Sequence, residues 1–179
     1  SVTRDTMKIS IEDLQRVIAQ MYELTIDKTQ VSYEIKYVRG LMERYKNHVN
    51  VRVGQEQPED WRRFTAVKEL CHAVIDEPED WSTNGVQTLT DLLIEYSLDN
   101  DTEAHRVTQS ETLAEIAAIE LMYPYADRVA DRDRVATGQT TVVKIATEHG
   151  MPVNMVERAL ADSYHKDIAE KLWNKLDKA

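Results

Sequence analysis

An α+β fold, mostly helical with one small sheet, is predicted by three features of the chain. Val31, Tyr33, Ile35 and Tyr37 alternate with polar residues, as do Val49, Val51 and Val53, which is the period-two signature of half-buried strands. Apolar residues recur at helical spacing near both ends, from Ile9 to Leu24 and again through Ile168, Leu172, Trp173 and Leu176. Between the strands and the C-terminal helices stands Arg63 to Ile75, RFTAVKELCHAVI. As a helix it puts Lys68 and His72 one turn apart on one face, with Glu69 beside them.

Composition bounds the alternatives. A chain of 179 residues with 42% apolar content is long enough to bury one sizeable core, and five Gly with four Pro leave no flexible linker, so one domain is expected. The expected division is a core over residues 1–124 and a C-terminal helical segment over 125–179 packed on the same domain. A single cysteine, Cys71, allows no internal disulfide and suits a reducing cytoplasm. No apolar run reaches the ~20 residues of a membrane span, and Ser1 to Ser10 lacks the apolar centre of a signal peptide, so a cytoplasmic protein without membrane association is expected. A net charge of -10 disfavours non-specific nucleic-acid binding, which relies on clustered Lys and Arg to replace counterions.

The elements follow in order. Ser10 is the expected N-cap of the first helix, with Asp13 three residues on. Two strands follow, over Val31–Tyr37 and Val49–Val53, joined by Gly40 to His48. Gln57-Pro58-Glu59-Asp60 offers a proline suited to the first helical position and two carboxylates for the positive end of the dipole, so the central helix is expected from here to about Ile75. Residues 76–109 hold one apolar helix, about Val86 to Leu98, and the polar run Asp99 to Glu103. Ser110 or Thr108 is expected to cap a helix led by Glu111, Thr108-x-x-Glu111 fitting a capping box. A charged helix follows Pro124 and ends at Gly138. Ala146, Gly150, Val153, Val156 and Leu160 then have the spacing of two short helices joined at a glycine. Asp162 or Ser163 starts the last amphipathic helix.

The central helix has the layout of a zinc peptidase with one ligand changed. H-E-x-x-H holds Zn²⁺ with two imidazoles and uses the glutamate to take a proton from the bound water; here the first imidazole is replaced by the ammonium of Lys68. The RFT lead-in and K-E-L-C-H resemble the RFTxxHELxH segment of the ImmA/IrrE family of zinc-dependent peptidases. ETLAEIAAIELMYP, Glu111 to Pro124, resembles that family's second motif, E-x-x-A-x-x-x-A-x-x-L-x-x-P, matching at Glu111, Ala114, Ala118, Leu121 and Pro124. It departs at Ala117, where Phe is usual, and at Glu115, where Asn or Asp is usual. The resemblance implies a zincin-like fold whose edge strand lines a substrate cleft, a site at which His72 and Glu111 converge as vestigial metal ligands, and Glu69 as general base only if a metal is bound.

Each of these residues has an ordinary alternative. His72 can be a histidine satisfied on a helix face, Glu69 a surface-pairing glutamate, and Glu111 part of a cap. Cys71 lies about 100° round the helix from His72 and is expected in the core. His105 is a remote replacement for the missing imidazole, while His48, His149 and His165 lack a ligand-spaced partner.

Three functions are compatible with the motifs. The first is a catalytically silent, metallopeptidase-like pseudoenzyme acting in regulation through a protein partner, with no cofactor. The second is an active peptidase holding zinc and cleaving a cytoplasmic repressor-type regulator. The third is a DNA-associated regulator using the helix-turn-helix-like segment, weakened by Glu148 and Glu157 beside Lys144 and Arg158. An ammonium has no lone pair for zinc and two remaining ligands hold the ion poorly, which favours the first. In that case Lys68 is expected to bridge to Glu111 where the ion would sit.

Overall fold

A computed structural model of the chain describes residues 8–33, 38–76 and 102–176. The protein is mixed α+β and mainly helical, with one three-stranded sheet among the described residues. Contacts divide it into two compact units, one built from Ser10–Ala118 and the other from Ile119–Ala179 together with Ser1–Ile9.

In the first unit, α1 (Ile11–Met21) begins where Ser10 Oγ accepts the Asp13 amide at 3.1 Å, and it buries Ile11 and Ile18. β1 (Thr25–Val31), β2 (Gly40–Tyr45) and β3 (His48–Gly54) form a mixed sheet of order β1-β3-β2. β3 lies in the middle, parallel to β1 and antiparallel to β2. Its Val49, Val51 and Val53 are buried while Asn50 and Arg52 are partly exposed, the expected alternation.

The sheet differs from the sequence expectation at two places. Val31 ends β1 instead of opening a strand over Val31–Tyr37; Ser32 and Tyr33 lie outside it, and residues 34–37 fall outside the described residues. The stretch from Gly40, expected to be a connection, is β2. It escaped notice because Leu41, Met42 and Glu43 are all buried in succession, the Glu43 carboxylate being paired with Arg52 across the sheet at 2.8 Å.

α2 (Glu59–Ile75) follows the Pro58 N-cap, with Glu59 and Asp60 in its first turn. It packs on α1, β2 and β3. From Phe64 to Ala73 every residue except Lys68 is buried, so α2 is the central helix of the unit. Val67 and Leu70 of α2 and Val49 and Val51 of β3 are fully buried, and burying such a side chain contributes roughly 1.5–3 kcal/mol. Gly40 lets β2 close on this helix. A Cβ at that position would stand 2.4 Å from Thr65 Cγ2 and 2.8 Å from Glu69 Oε1.

α3 (Thr102–Met122) starts well before Ser110 and carries Ala118 into the first unit and Ile119 into the second. Positions 108 and 110 therefore lie inside the helix, so Thr108-x-x-Glu111 does not open it as a capping box. The expected helix over 86–98 lies outside the described residues.

The second unit contains α4 (Tyr125–Ala136), α5 (Val142–His149) and α6 (Val153–Leu160). A three-residue helix α7 (Asp162–Tyr164), a π-helical turn (His165–Ala169) and α8 (Glu170–Leu176) complete it. Gly150 closes α5 in the left-handed conformation at φ 62°, the helix-glycine-helix arrangement expected from the sequence. Its polar core centres on Glu120, whose two carboxylate oxygens accept from Arg128 Nη2 at 2.6 and 2.7 Å, and which also accepts from the Tyr164 hydroxyl at 3.0 Å and Trp173 Nε1 at 2.8 Å. Among the described residues no helix is long and apolar enough to cross a membrane.

Candidate functional site

The site lies within the first unit, where the middle of α2 faces the Glu111 turn of α3. Helical geometry puts Lys68 and His72 on one face of α2, and Ser110 and Glu111 come from α3 to meet them. Lys68 Nζ lies 2.6 Å from Glu111 Oε2 and 3.4 Å from Glu69 Oε1. His72 Nε2 lies 3.2 Å from Glu111 Oε1, at ion-pair distance but off the line of a hydrogen bond. His72 and Glu111 thus converge, as the two motifs imply, and Lys68 reaches the carboxylate between them.

The other side of the imidazole is held by Asp76, which the sequence did not single out, and by Ser110, which it singled out only as a cap. Nδ1 donates to Asp76, whose carboxylate oxygens lie at 3.0 and 3.1 Å. Ser110 Oγ donates to Asp76 Oδ1 at 2.6 Å and lies 3.2 Å from Nδ1. The carboxylate accepts only, so the ring carries its proton on Nδ1 and directs Nε2 at Glu111. Asp76 is four residues beyond His72, on the same face, and that spacing was the available sequence signal.

Charge organises the cluster. Burial works against a charged His72, yet the carboxylates of Asp76, Glu111 and Glu69 outweigh it and push the ring up to about 10, so at neutral pH it is an imidazolium. Burial likewise opposes a charged Lys68, and Glu69 and Glu111 more than offset it, holding the ammonium above its ordinary range. Glu111 is 54% exposed. Burial opposes its charge, but His72 and Lys68 bring it down to about 2. Glu69 goes the other way, because burial raises its carboxyl more than Lys68 and His72 lower it.

These residues do not fit a zinc ion. At the three ligand positions that the motifs imply stand one imidazole, one carboxylate and an ammonium without a lone pair. Among the described residues, no group of three or more His, Cys, Asp or Glu is arranged to hold a metal. Cys71 is buried away from this face in the core, where burial and then Glu69 push its thiol up to about 12. The His105 side chain lies outside the described residues. His48 sits on the sheet beside Asp27 and Asn50, and His149 packs on Tyr123 in the second unit, so neither joins the cluster.

What the arrangement offers chemically is two cations, Lys68 and His72, held among the carboxyl groups of Glu69, Asp76 and Glu111. No protein-family model matches the chain, and no curated protein matches it significantly.

Proposed function

We propose that the chain is a catalytically silent, zincin-like relative of the ImmA/IrrE peptidases that acts in regulation by binding another protein, a repressor-type regulator being the partner that the resemblance suggests. The observation that carries this reading is the Lys68 ammonium, 2.6 Å from Glu111 and 3.4 Å from Glu69, at the position of the first zinc ligand. A peptidase of this kind needs a metal to make a nucleophile of water and a glutamate to receive its proton. With Lys68 in place, Glu69 has no metal-bound water to act on. The motif helices are held by ion pairs instead, so the face can recognise a protein segment but not hydrolyse it. β2, the edge strand whose Gly40 lies against Glu69, is the element that would meet such a segment.

Metal content tests the reading. The parent protein is expected to lose zinc on dialysis, whereas Lys68→His is expected to retain about one equivalent, since His72 and Glu111 already converge. Retention of about one equivalent by the parent, with chelator-sensitive cleavage of a repressor-like substrate that Glu69→Gln abolishes, would reverse the conclusion.

A further inference from the structure

The sheet has a second edge, away from Glu69. Beside it a groove of about 330 Å³ runs between β1 and the first turns of α2. Its α2 wall is formed by Glu59, Arg62, Arg63 and Ala66, the i, i+3, i+4, i+7 stripe of that helix. Lys28 and Gln30 of β1 form the opposite wall, and Ile11 and Val53 contribute apolar surface. Three cations and the Glu59 carboxylate line this groove, with the Glu12 carboxylate beside Lys28 and Arg63, in a chain whose net charge is -10. Lys28 Nζ pairs with Glu12 at 3.1 Å, and Arg62 Nη1 donates to the Gln55 carbonyl at 3.2 Å.

The strand itself supplies directional groups. Thr25 N–H donates to Asn47 O, and Val31 O accepts from Gln55 N–H, so the odd-numbered residues of β1 turn their amides toward β3. The even-numbered ones face outward. Ile26 O confirms the alternation, because it accepts Gln15 Nε2 of α1 at 2.7 Å on the outer side. Beyond Gln15, the outward N–H and C=O groups of Lys28 and Gln30 border the groove.

We infer that the β1 edge and its cationic groove form a docking site for an extended acidic peptide segment, which adds to the sheet through the amides of Lys28 and Gln30 and turns alternate carboxylates toward Lys28, Arg62 and Arg63. Strand addition fixes the backbone and alternation fixes which side chains enter the groove. Carboxylate chemistry follows from the three cations, and a volume of this size accepts one or two side chains of the added strand. The inference does not rest on the Lys68 site, which lies toward the other edge of the sheet.

The test uses the full chain and a fluorescein-labelled octapeptide of alternating valine and glutamate, followed by fluorescence anisotropy. Saturable binding is expected, weakening roughly tenfold on Arg62→Glu and on replacing the peptide's glutamates with glutamines. Gln30→Pro removes one outward N–H that the sheet does not use, so a folded variant is expected, with its circular dichroism retained and its peptide affinity reduced. N-methylating alternate amides of the peptide should abolish binding. Absence of saturable binding, indifference to Arg62→Glu or N-methylation, or displacement of the peptide by inorganic phosphate alone would overturn the proposal. So would a parent dimer in sedimentation that Gln30→Pro dissociates, since a second copy would then be the occupant of this edge.

Discussion

Lys68 Nζ and Glu111 Oε2, 43 positions apart in sequence, lie 2.6 Å from one another and join the two helices that carry the motifs. Lys68 is 20% exposed and Glu111 54% exposed. The pair therefore falls between a surface bridge, worth ~0–1 kcal/mol, and a buried one whose breakage costs ~3–5 kcal/mol. Solvent screening at Glu111 favours the lower half of that span. The unsupported charge of buried Glu69 adds to it. Lys68→Ala is expected to lower stability by about 1–2 kcal/mol. The check is a shifted denaturation midpoint at unchanged slope; a midpoint equal to the parent's would remove the internal cation from the account.

The same cluster sets a pH window. His72 is raised from 6.5 to about 10, so its contribution is complete below pH 6.5 and is lost as pH climbs through 10. Glu111 is lowered from 4.5 to about 2, so its contribution is complete above pH 4.5 and is lost as pH falls through 2. Both are whole between about pH 4.5 and 6.5. The stability difference between the parent and His72→Gln is expected to be largest there and to shrink toward pH 10. Measured by denaturant unfolding across pH, a difference that grows above neutrality would contradict a charged His72.

Gly40 fixes the distance between β2 and the site. With Thr65 Cγ2 at 2.4 Å and Glu69 Oε1 at 2.8 Å from any Cβ placed there, Gly40→Ala must displace either the strand or both the Thr65 and Glu69 side chains. Overpacking of this kind typically costs ~1–3 kcal/mol. A lower thermal midpoint is expected, and an unchanged one would mean that β2 does not sit on α2 as closely as described.

The parts legible in the sequence are those where one residue type has one physical use. Pro58 with two following acids marks the start of α2 to within a residue, Gly150 the turn between α5 and α6, and the resemblance of the two motifs to a metal site points to the contact between Lys68 and Glu111. Edge strands were harder. β1, TIDKTQV, buries only Ile26, because a strand at the sheet margin with one solvated face needs little apolar content. β2 hid behind a buried Glu43, whose pairing with Arg52 makes a charged residue acceptable inside. Ser110 has the composition of a cap, but its hydroxyl serves Asp76 and His72, and local sequence carries no record of a partner 34 residues away.

The second unit has its own buried charge, and it yields the largest expected effect. Arg128 is fully buried, with Nη2 on both oxygens of Glu120 and Nη1 on the Tyr123 carbonyl at 2.5 Å. Glu120 also receives Tyr164 and Trp173, so one carboxylate links α3 to α4, α7 and α8. Tyr164 responds to the same environment: burial, then the Glu120 charge, holds its phenol well above the usual range and keeps it a donor. Glu120→Gln preserves the shape but removes the charge, leaving the guanidinium inside without its counter-ion. Removing one partner of a buried pair costs ~3–5 kcal/mol, whereas replacing both by apolar groups of similar volume is often neutral. Glu120→Gln is therefore expected to destabilise the protein by about 3–5 kcal/mol, and Glu120→Gln with Arg128→Met by distinctly less. Denaturant unfolding of the parent, both single variants and the double variant closes the cycle. Additive losses would show that Glu120 and Arg128 act independently, against the bidentate geometry.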